Sequence, residues 1–255
     1  MANPFIHPTY GPLHLGRPRV SVRTNQTDRK KIALHDFMAT LPTPPDAIDN
    51  TFDVTDWTMM ANDTLGDCTE ATKGHLVTVY TDGKVILPTD VIVQAYEDEC
   101  GYNPADPLSD QGGDIAKVLE YFRTQGLGGH KILAHAEVNI TQLRLEQAVQ
   151  AFRAVNMGIQ MPVTAQKQTG PGKLWDIVQD CPNTDADPGS WGGHSTPIVK
   201  YDATGVWLVT WGLLQKATWQ WLMYYSDEAH ACISPDWTSP VPTDELVADL
   251  QAVGK

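Results

Sequence analysis

The chain has 255 residues, a formal net charge of −13, and 42% hydrophobic residues including eight tryptophans. That apolar content suffices for one large domain or two lobes around a cleft and argues against global disorder. The acidic balance argues against nucleic-acid binding, which needs a basic footprint, and against an anionic membrane surface. It is compatible with cationic or neutral substrates. No apolar run approaches the roughly 20 residues of a membrane span. Met1–Pro8 has neither the positive nor the apolar region of a secretory signal, so a cytoplasmic or virion-associated location is expected.

In chain order, residues 1–31 are rich in Pro, Gly, Arg and polar residues without sustained periodicity, and read as an extended arm. Arg17, Arg19, Arg23, Arg29, Lys30 and Lys31 give it a sign opposite to that of the acidic body. Such an arm can lie over its own domain or reach another protein or subunit. A short helix is predicted from Ile32 to Leu41, closed by Pro42-Thr43-Pro44-Pro45, so the arm segment spans 1–45. Residues 69–80 predict a helix with Ala71, His75, Leu76 and Val79 on one face. The turn Leu65-Gly66-Asp67 puts Cys68 in its first turn, beside unpaired N–H groups. A helical segment near 88–100 follows. After Gly113 comes a helix with Ile115, Val118, Leu119 and Phe122 on its buried face. Thr141 caps another, with Leu143, Leu145, Ala148, Val149 and Phe152 as apolar positions. From Met157 the pattern turns to strands at 158–163, 195–201, 206–211 and 218–225. The Gly-, Pro- and Asp-rich stretch 165–192 reads as a loop over a cleft. Thr243 is the expected cap of a terminal helix in a tail of 236–255. Helices first and strands after predict an α+β fold with segregated lobes, helical at 46–140 and mainly β at 141–235.

The chemistry centres on Cys68, within Asn62-Asp63-Thr64-Leu65-Gly66-Asp67-Cys68-Thr69-Glu70-Ala71. A thiol is a useful nucleophile only as thiolate, which a helix N-terminus and a nearby imidazole both favour. His194, in Gly192-Gly193-His194, lies on the opposite half of the predicted fold and is the expected base. His75 reads as a packed polar residue. Cys68/His75 and His130/His135 do not give the closely spaced ligand pairs that zinc needs, so neither a metal nor a cofactor is expected. Gly112-Gly113 and Gly128-Gly129 are too sparse for a phosphate loop, and no Gly-x-Ser-x-Gly elbow occurs.

Over residues 50–233 the chain resembles the papain family of cysteine peptidases. Phe52-Asp53-Val54-Thr55-Asp56-Trp57 is similar to the Val-Asp-Trp stretch near the start of that domain. Asn62 stands six residues before Cys68, where the family has a Gln that donates to the oxyanion. Gln111-Gly112-Gly113-Asp114 resembles the segment that lines the cleft. Gly193-His194-Ser195-Thr196-Pro197 resembles the strand with the catalytic His, and Val206–Gly212 the strand ending in Trp-Gly. Residues 218–225 resemble the strand after it.

The resemblance implies a two-lobe papain-like fold and a peptide or amide substrate. It implies Cys68 and His194 as the catalytic pair and Asn62 as oxyanion donor, with Gly112, Gly113, Gly193 and Trp211 at the substrate. The family's imidazole-orienting Asn is replaced by Val209, and Thr210 beside it is expected on the opposite strand face. The arm lacks the long charged helices of the family's inhibitory pro-segment. The resemblance also implies a Cys181–Cys232 disulfide, whereas the chain itself reads as reduced. The alternative to a hydrolase is an inactive papain-fold binding or structural protein, such as a virion or assembly component.

Overall fold

The computed structural model describes residues 5–7, 11–16, 25–179 and 183–253. Strands β1 (Phe5–His7) and β2 (Gly11–Leu13) pair antiparallel, and α1 (Asn25–Ala39) follows. The helix expected at 32–41 thus begins well inside the stretch read as extended. It packs against the terminal helix, and Lys31 pairs with Glu137 at 2.5 Å. Arg17, Arg19 and Arg23 lie outside the described residues. After β3 (Ile48–Asp49) come three helices: α2 (Cys68–Tyr80), α3 (Thr89–Cys100) and α4 (Ile115–Thr124). The rest is β4 (Ala134–Glu137), α5 (Gln142–Phe152), β5 (Val155–Met161), α6 (Ala165–Gln168), β6 (Leu174–Trp175), β7 (Gly192–Asp202), β8 (Gly205–Thr210), β9 (Leu213–Ala217), α7 (Trp219–Tyr225), β10 (Ser226–Ile233) and α8 (Asp244–Val253).

Eight strands form one sheet in the order β4-β10-β5-β7-β8-β9-β6, with β3 added on β7. All pairs are antiparallel except β6 with β9. Two apolar cores result. Ile198 and Leu208 lie in the larger core, with Trp175, Trp211 and Trp221. Their strand neighbours Val199 and Val209 join α2, α3 and α4 in the other, as alternation requires. The mixed architecture is α+β, as expected.

Helix α2 is buried along all thirteen residues, between the sheet and the other two helices. A helix buried all round is ordinarily apolar, but this one carries Glu70, Lys73 and His75. They are tolerated because they are paired. Lys73 Nζ lies 2.6 Å from both Glu70 and Glu99, and His75 Nε2 donates to the Trp57 carbonyl at 2.9 Å. The predicted Thr141 cap forms, accepting from the Arg144 N–H at 3.3 Å, and α4 is capped by Asp114, which accepts from the Lys117 N–H at 2.9 Å. Ile115, Val118, Leu119 and Phe122 are all buried.

Three expectations fail. Residues 218–225 form a helix, not a strand. Thr218 accepts from the Trp221 N–H at 3.2 Å, and the buried positions Trp219, Leu222 and Tyr225 recur every three residues. The strand that pairs with β8 is instead Leu213–Ala217. Leu143 is exposed, because the buried stripe of α5 runs through Leu145, Ala148 and Val149. Residues 165–192 do not form a free loop over the cleft. They add β6 to the sheet edge and bury Trp175, whose Nε1–H donates to Thr169.

Candidate functional site

Cys68 opens α2 and is buried. His194 sits on β7, paired through the backbone with Ile159 of β5. The two side chains line one cavity of about 30 Å³, together with Gly113, Gly193 and Ser195. That is room for about two waters.

The His194 ring is fixed by two contacts. Its Nε2 is 2.6 Å from Thr210 Oγ1, and its face stacks on Trp211 with centroids 4.5 Å apart and planes 15° from parallel. Its Nδ1 has no hydrogen-bond partner among the described residues. A hydroxyl that accepts from Nε2–H selects the tautomer with a bare Nδ1. Thr210 therefore meets the ring, while Val209, at the family's orienter offset, is buried in the helical core. The expectation that Thr210 faces away from His194 is corrected.

Trp211 owes its position to a tight turn. β8 and β9 are joined by Trp211-Gly212 alone, with φ of +47° and +69°. A two-residue hairpin of this hand needs positive φ at both positions, which glycine accepts and tryptophan resists. The strain at Trp211 is held by its stacking on Trp191, with centroids 5.5 Å apart, and on His194.

The helical wall is set by polar contacts. The Gly112 N–H donates to Tyr96 Oη at 2.9 Å, Tyr96 donates to Asp110 at 2.6 Å, and Asp110 accepts from the Gly66 N–H at 3.1 Å. Gly112 has φ of +77°. A Cβ on Gly113 would collide with Thr69 Oγ1 and stand 2.9 Å from Cys100 Sγ, so only glycine lets this wall approach α2. Asn62 is buried, and its Nδ2 donates to Leu65 O at 3.1 Å and Asp67 Oδ1 at 3.2 Å. Its amide is thus engaged within its own loop rather than turned to Cys68.

The arm completes the site. The Gly193 N–H donates to Gly16 O at 3.1 Å in an antiparallel bridge. A Cβ on Gly16 would lie 3.6 Å from Gly112 Cα and 3.7 Å from Cys68 Sγ. The His14 N–H donates to Asn62 O at 3.2 Å, and His14 O accepts from Trp211 Nε1–H at 3.3 Å. Leu13 is fully buried in the β-side core. Residues 13–16 thus lie across the cavity between Gly112 and Gly193.

This enclosure governs the electrostatics. Burial pushes the Cys68 thiol up to about 11, with a further push from the Asp67 charge, against nearby backbone groups of Ser195, Gly16 and Thr69. Burial, and then the charge of His75, pulls His194 down to about 3. Desolvation disfavours both charged forms, so under the arm the pair is thiol and neutral imidazole at pH 7. Asp67 is also buried and its carboxyl is raised by desolvation. Cys68, Cys100 and Cys232 are free thiols, and Cys181 lies outside the described residues. Among the described residues no cluster of three His, Cys, Asp or Glu could hold a metal ion, and no helix is long and apolar enough to cross a membrane.

Known structures resemble this arrangement of lobes. Xylellain, a cysteine protease from Xylella fastidiosa, superposes with a TM-score of 0.60 at 12% identity, covering 86% of this chain and 95% of that one. The proform of the Amb a 11 cysteine protease, a ragweed pollen allergen, gives 0.57 at 17% identity, over 87% of this chain and 66% of that one. Digestive procathepsin L 3 of the Tenebrio molitor larval midgut gives 0.54 at 13% identity, over 78% and 79%. The fold is papain-like. In sequence, no family model and no curated protein matches the chain. Within the papain-like fold Cys68 and His194 stand on facing lobes. Gly16, Asp227 and Glu228 line the cavity and Thr210 holds its imidazole, and none of the four was assigned to the site from the sequence. Only the nearness of Thr210 to Trp211-Gly212 marked it in advance.

Proposed function

We propose that the protein is a thiol hydrolase of peptide or amide bonds, working through Cys68 and His194. The observation that carries this reading is the shared cavity of a thiol at a helix start and an imidazole with a bare Nδ1, which come from positions 126 residues apart. His194 Nδ1 takes the thiol proton, and Cys68 Sγ attacks the amide carbonyl carbon. The tetrahedral oxyanion is stabilised by the Cys68 N–H and by the Asn62 amide, which must turn from Asp67 to reach it. His194 gives the proton to the leaving amine as the C–N bond breaks and a thioester forms. Water, deprotonated by His194, then attacks the thioester and returns the thiol. Thr210 is a positioning residue that keeps Nε2 protonated, Trp211 shields the ring from water, and Gly112, Gly113 and Gly193 pair with substrate backbone.

Residues 13–16 occupy the same track, so a substrate competes with the arm for the Gly193 N–H. Removing the arm rehydrates the site and moves both pKa values back toward their ordinary range, which allows the ion pair to form. The test is the pH dependence of Cys68 alkylation by iodoacetamide in the wild type and in Leu13→Asp, which unseats the arm. The expected result is slow labelling in the wild type and fast labelling below pH 8 in Leu13→Asp, lost in Leu13→Asp/His194→Ala. Labelling of the Leu13→Asp protein that follows an ordinary thiol near 8.5, indifferent to His194, overturns the reading.

A further inference from the structure

The apolar surface of α1 is wider than the core covers. Leu34 and Met38 are buried in the β-side core, which is the single stripe a surface helix needs. Beside them Ala33 and Phe37 are half-buried, and Ile32 is 60% exposed. Helix α8 packs alongside α1. Between the two helices lies a groove of about 990 Å³, in which Leu246 and Val253 of α8 and Val241 ahead of it join Ile32, Ala33 and Phe37. On α1 the lining runs from Arg29 to the helix end at Ala39, about 15 Å or nearly three turns.

The rim of this groove is acidic. Asp36 of α1 and Asp244, Glu245 and Asp249 of α8 line it, against one cation, Arg29. All four are exposed. Among the described residues none of them pairs with a lysine or arginine, and Asp36 has His35 Nδ1 at 3.5 Å. Asp244 and Glu245 stand in the first turn of α8, where unpaired N–H groups favour carboxylates. Asp36 and Asp249 lie further along their helices, where that effect has faded. The groove shares no residue with the Cys68 cavity.

We propose that the α1–α8 groove docks an amphipathic helix of a partner protein, apolar along one stripe and flanked by Lys or Arg. The surface is independent of the thiol chemistry. A helix suits a gap between two helices, where its ridge of side chains enters the groove between theirs. A strand has no ladder to join, because the edge strand β4, against which both helices pack, contributes nothing to the lining. The apolar stripe covers Ile32, and the flanking cations reach Asp36 and Asp249. A second copy of the chain is the poorer occupant: it carries the same net charge of −13, and a symmetric contact would set one acidic rim against another.

The test is fluorescence anisotropy of the full-length protein with two labelled Ala-based helical peptides. Both have Leu at i, i+4, i+7 and i+11; one has Lys along the edges of that stripe and the other Glu. The Lys peptide is expected to bind with a micromolar Kd, about tenfold more tightly than the Glu peptide. Asp36→Asn/Asp249→Asn removes most of this preference. Asp90→Asn/Asp98→Asn, the same change in charge on α3, leaves it. Ile32→Asp separates docking from plain attraction to an acidic surface. Docking requires the Lys peptide to bind about tenfold more weakly to that variant, whereas plain attraction makes it bind at least as tightly. No binding of the Lys peptide, equal binding of both peptides, indifference to Asp36 and Asp249, or unweakened binding to Ile32→Asp overturns the inference. Two other occupants are read directly. A wild-type dimer in sedimentation that Ile32→Asp dissolves assigns the groove to a second copy. A tighter grip on the Lys peptide in Arg17→Ser/Arg19→Ser/Arg23→Ser assigns it to the chain's own arm. Either result overturns the proposal as well.

Discussion

The two walls that meet at Cys68 and His194 are built from opposite materials. The helical wall is fixed by buried charge and hydrogen bonds: Lys73 between Glu70 and Glu99, and the relay from Gly66 through Asp110 and Tyr96 to Gly112. The β wall is fixed by stacked rings: His194 on Trp211, Trp211 on Trp191, and Trp175 against Trp221 with centroids 4.7 Å apart. One hydroxyl, on Thr210, is the polar contact of the His194 side chain on that side. Charge networks hold direction sharply and fail badly when one partner is removed, whereas ring stacks tolerate substitution in proportion to the area lost.

The largest test of this contrast is Lys73→Met. It leaves two buried carboxylates without their cation, and a cost of about 3–5 kcal/mol is expected in urea unfolding. A loss below about 1 kcal/mol would mean that the charge network does not hold the helical wall. Trp211→Ala removes three ring contacts from the opposite wall, for about 3 kcal/mol. Trp211→Phe should recover roughly half of that, and a Phe variant no better than Ala would break the assignment to stacking area.

The next test is a pH effect on the helical side. Burial lowers His75 to about 4, from 6.5 in the unfolded chain. Between those values the unfolded chain binds more protons, so this contribution is present above pH 6.5 and lost as pH falls toward 4. In the opposite sense, burial raises Glu70 to about 7, with Lys73 opposing the rise. Its contribution is present below the unfolded carboxylate range and fades as pH rises through 7. His75→Gln is therefore expected to flatten the acid limb of the stability curve by about 2 kcal/mol between pH 6.5 and 4. An unchanged limb would remove His75 from the account.

The smallest effect is expected at the hydroxyl. Thr210→Val should cost about 1–2 kcal/mol by leaving Nε2–H unpaired. In the Leu13→Asp background it should also slow Cys68 alkylation about tenfold at pH 7, with Thr210→Ser restoring the rate. Loss of stability without a change in the alkylation profile would make Thr210 a packing residue only.

Much of this was legible in the chain. The four buried positions of α4, the Thr141 cap and the start of α2 at Cys68 follow from local periodicity and capping chemistry. The failures lie where local signal is ambiguous. Thr218–Tyr225 alternates well enough for a strand, but the Thr218 hydroxyl is spent on capping and burial recurs every three residues. Alternation along β8 sets Thr210 on the face of Leu208, Ile198 and His194, but with the two-residue turn starting at Trp211 the residue that meets the ring lies one place before Trp211 rather than two, which the sequence does not reveal. At Ser226/Glu228 a register shift between β10 and β5 does override alternation, and both Asp227 and Glu228 lie against Gly158.

The sequence by itself determined the two-lobe α+β plan, the helix that presents Cys68 and the strand that carries His194. These depend on hydrophobic period and capping, which are properties of neighbouring residues. Tertiary structure alone decided that Thr210 holds the imidazole, that Asn62 turns to Asp67, and that Gly16 covers the thiol. Each is a contact between segments far apart in the chain or at the end of a turn. Their geometry is fixed by packing and burial, which no local pattern records.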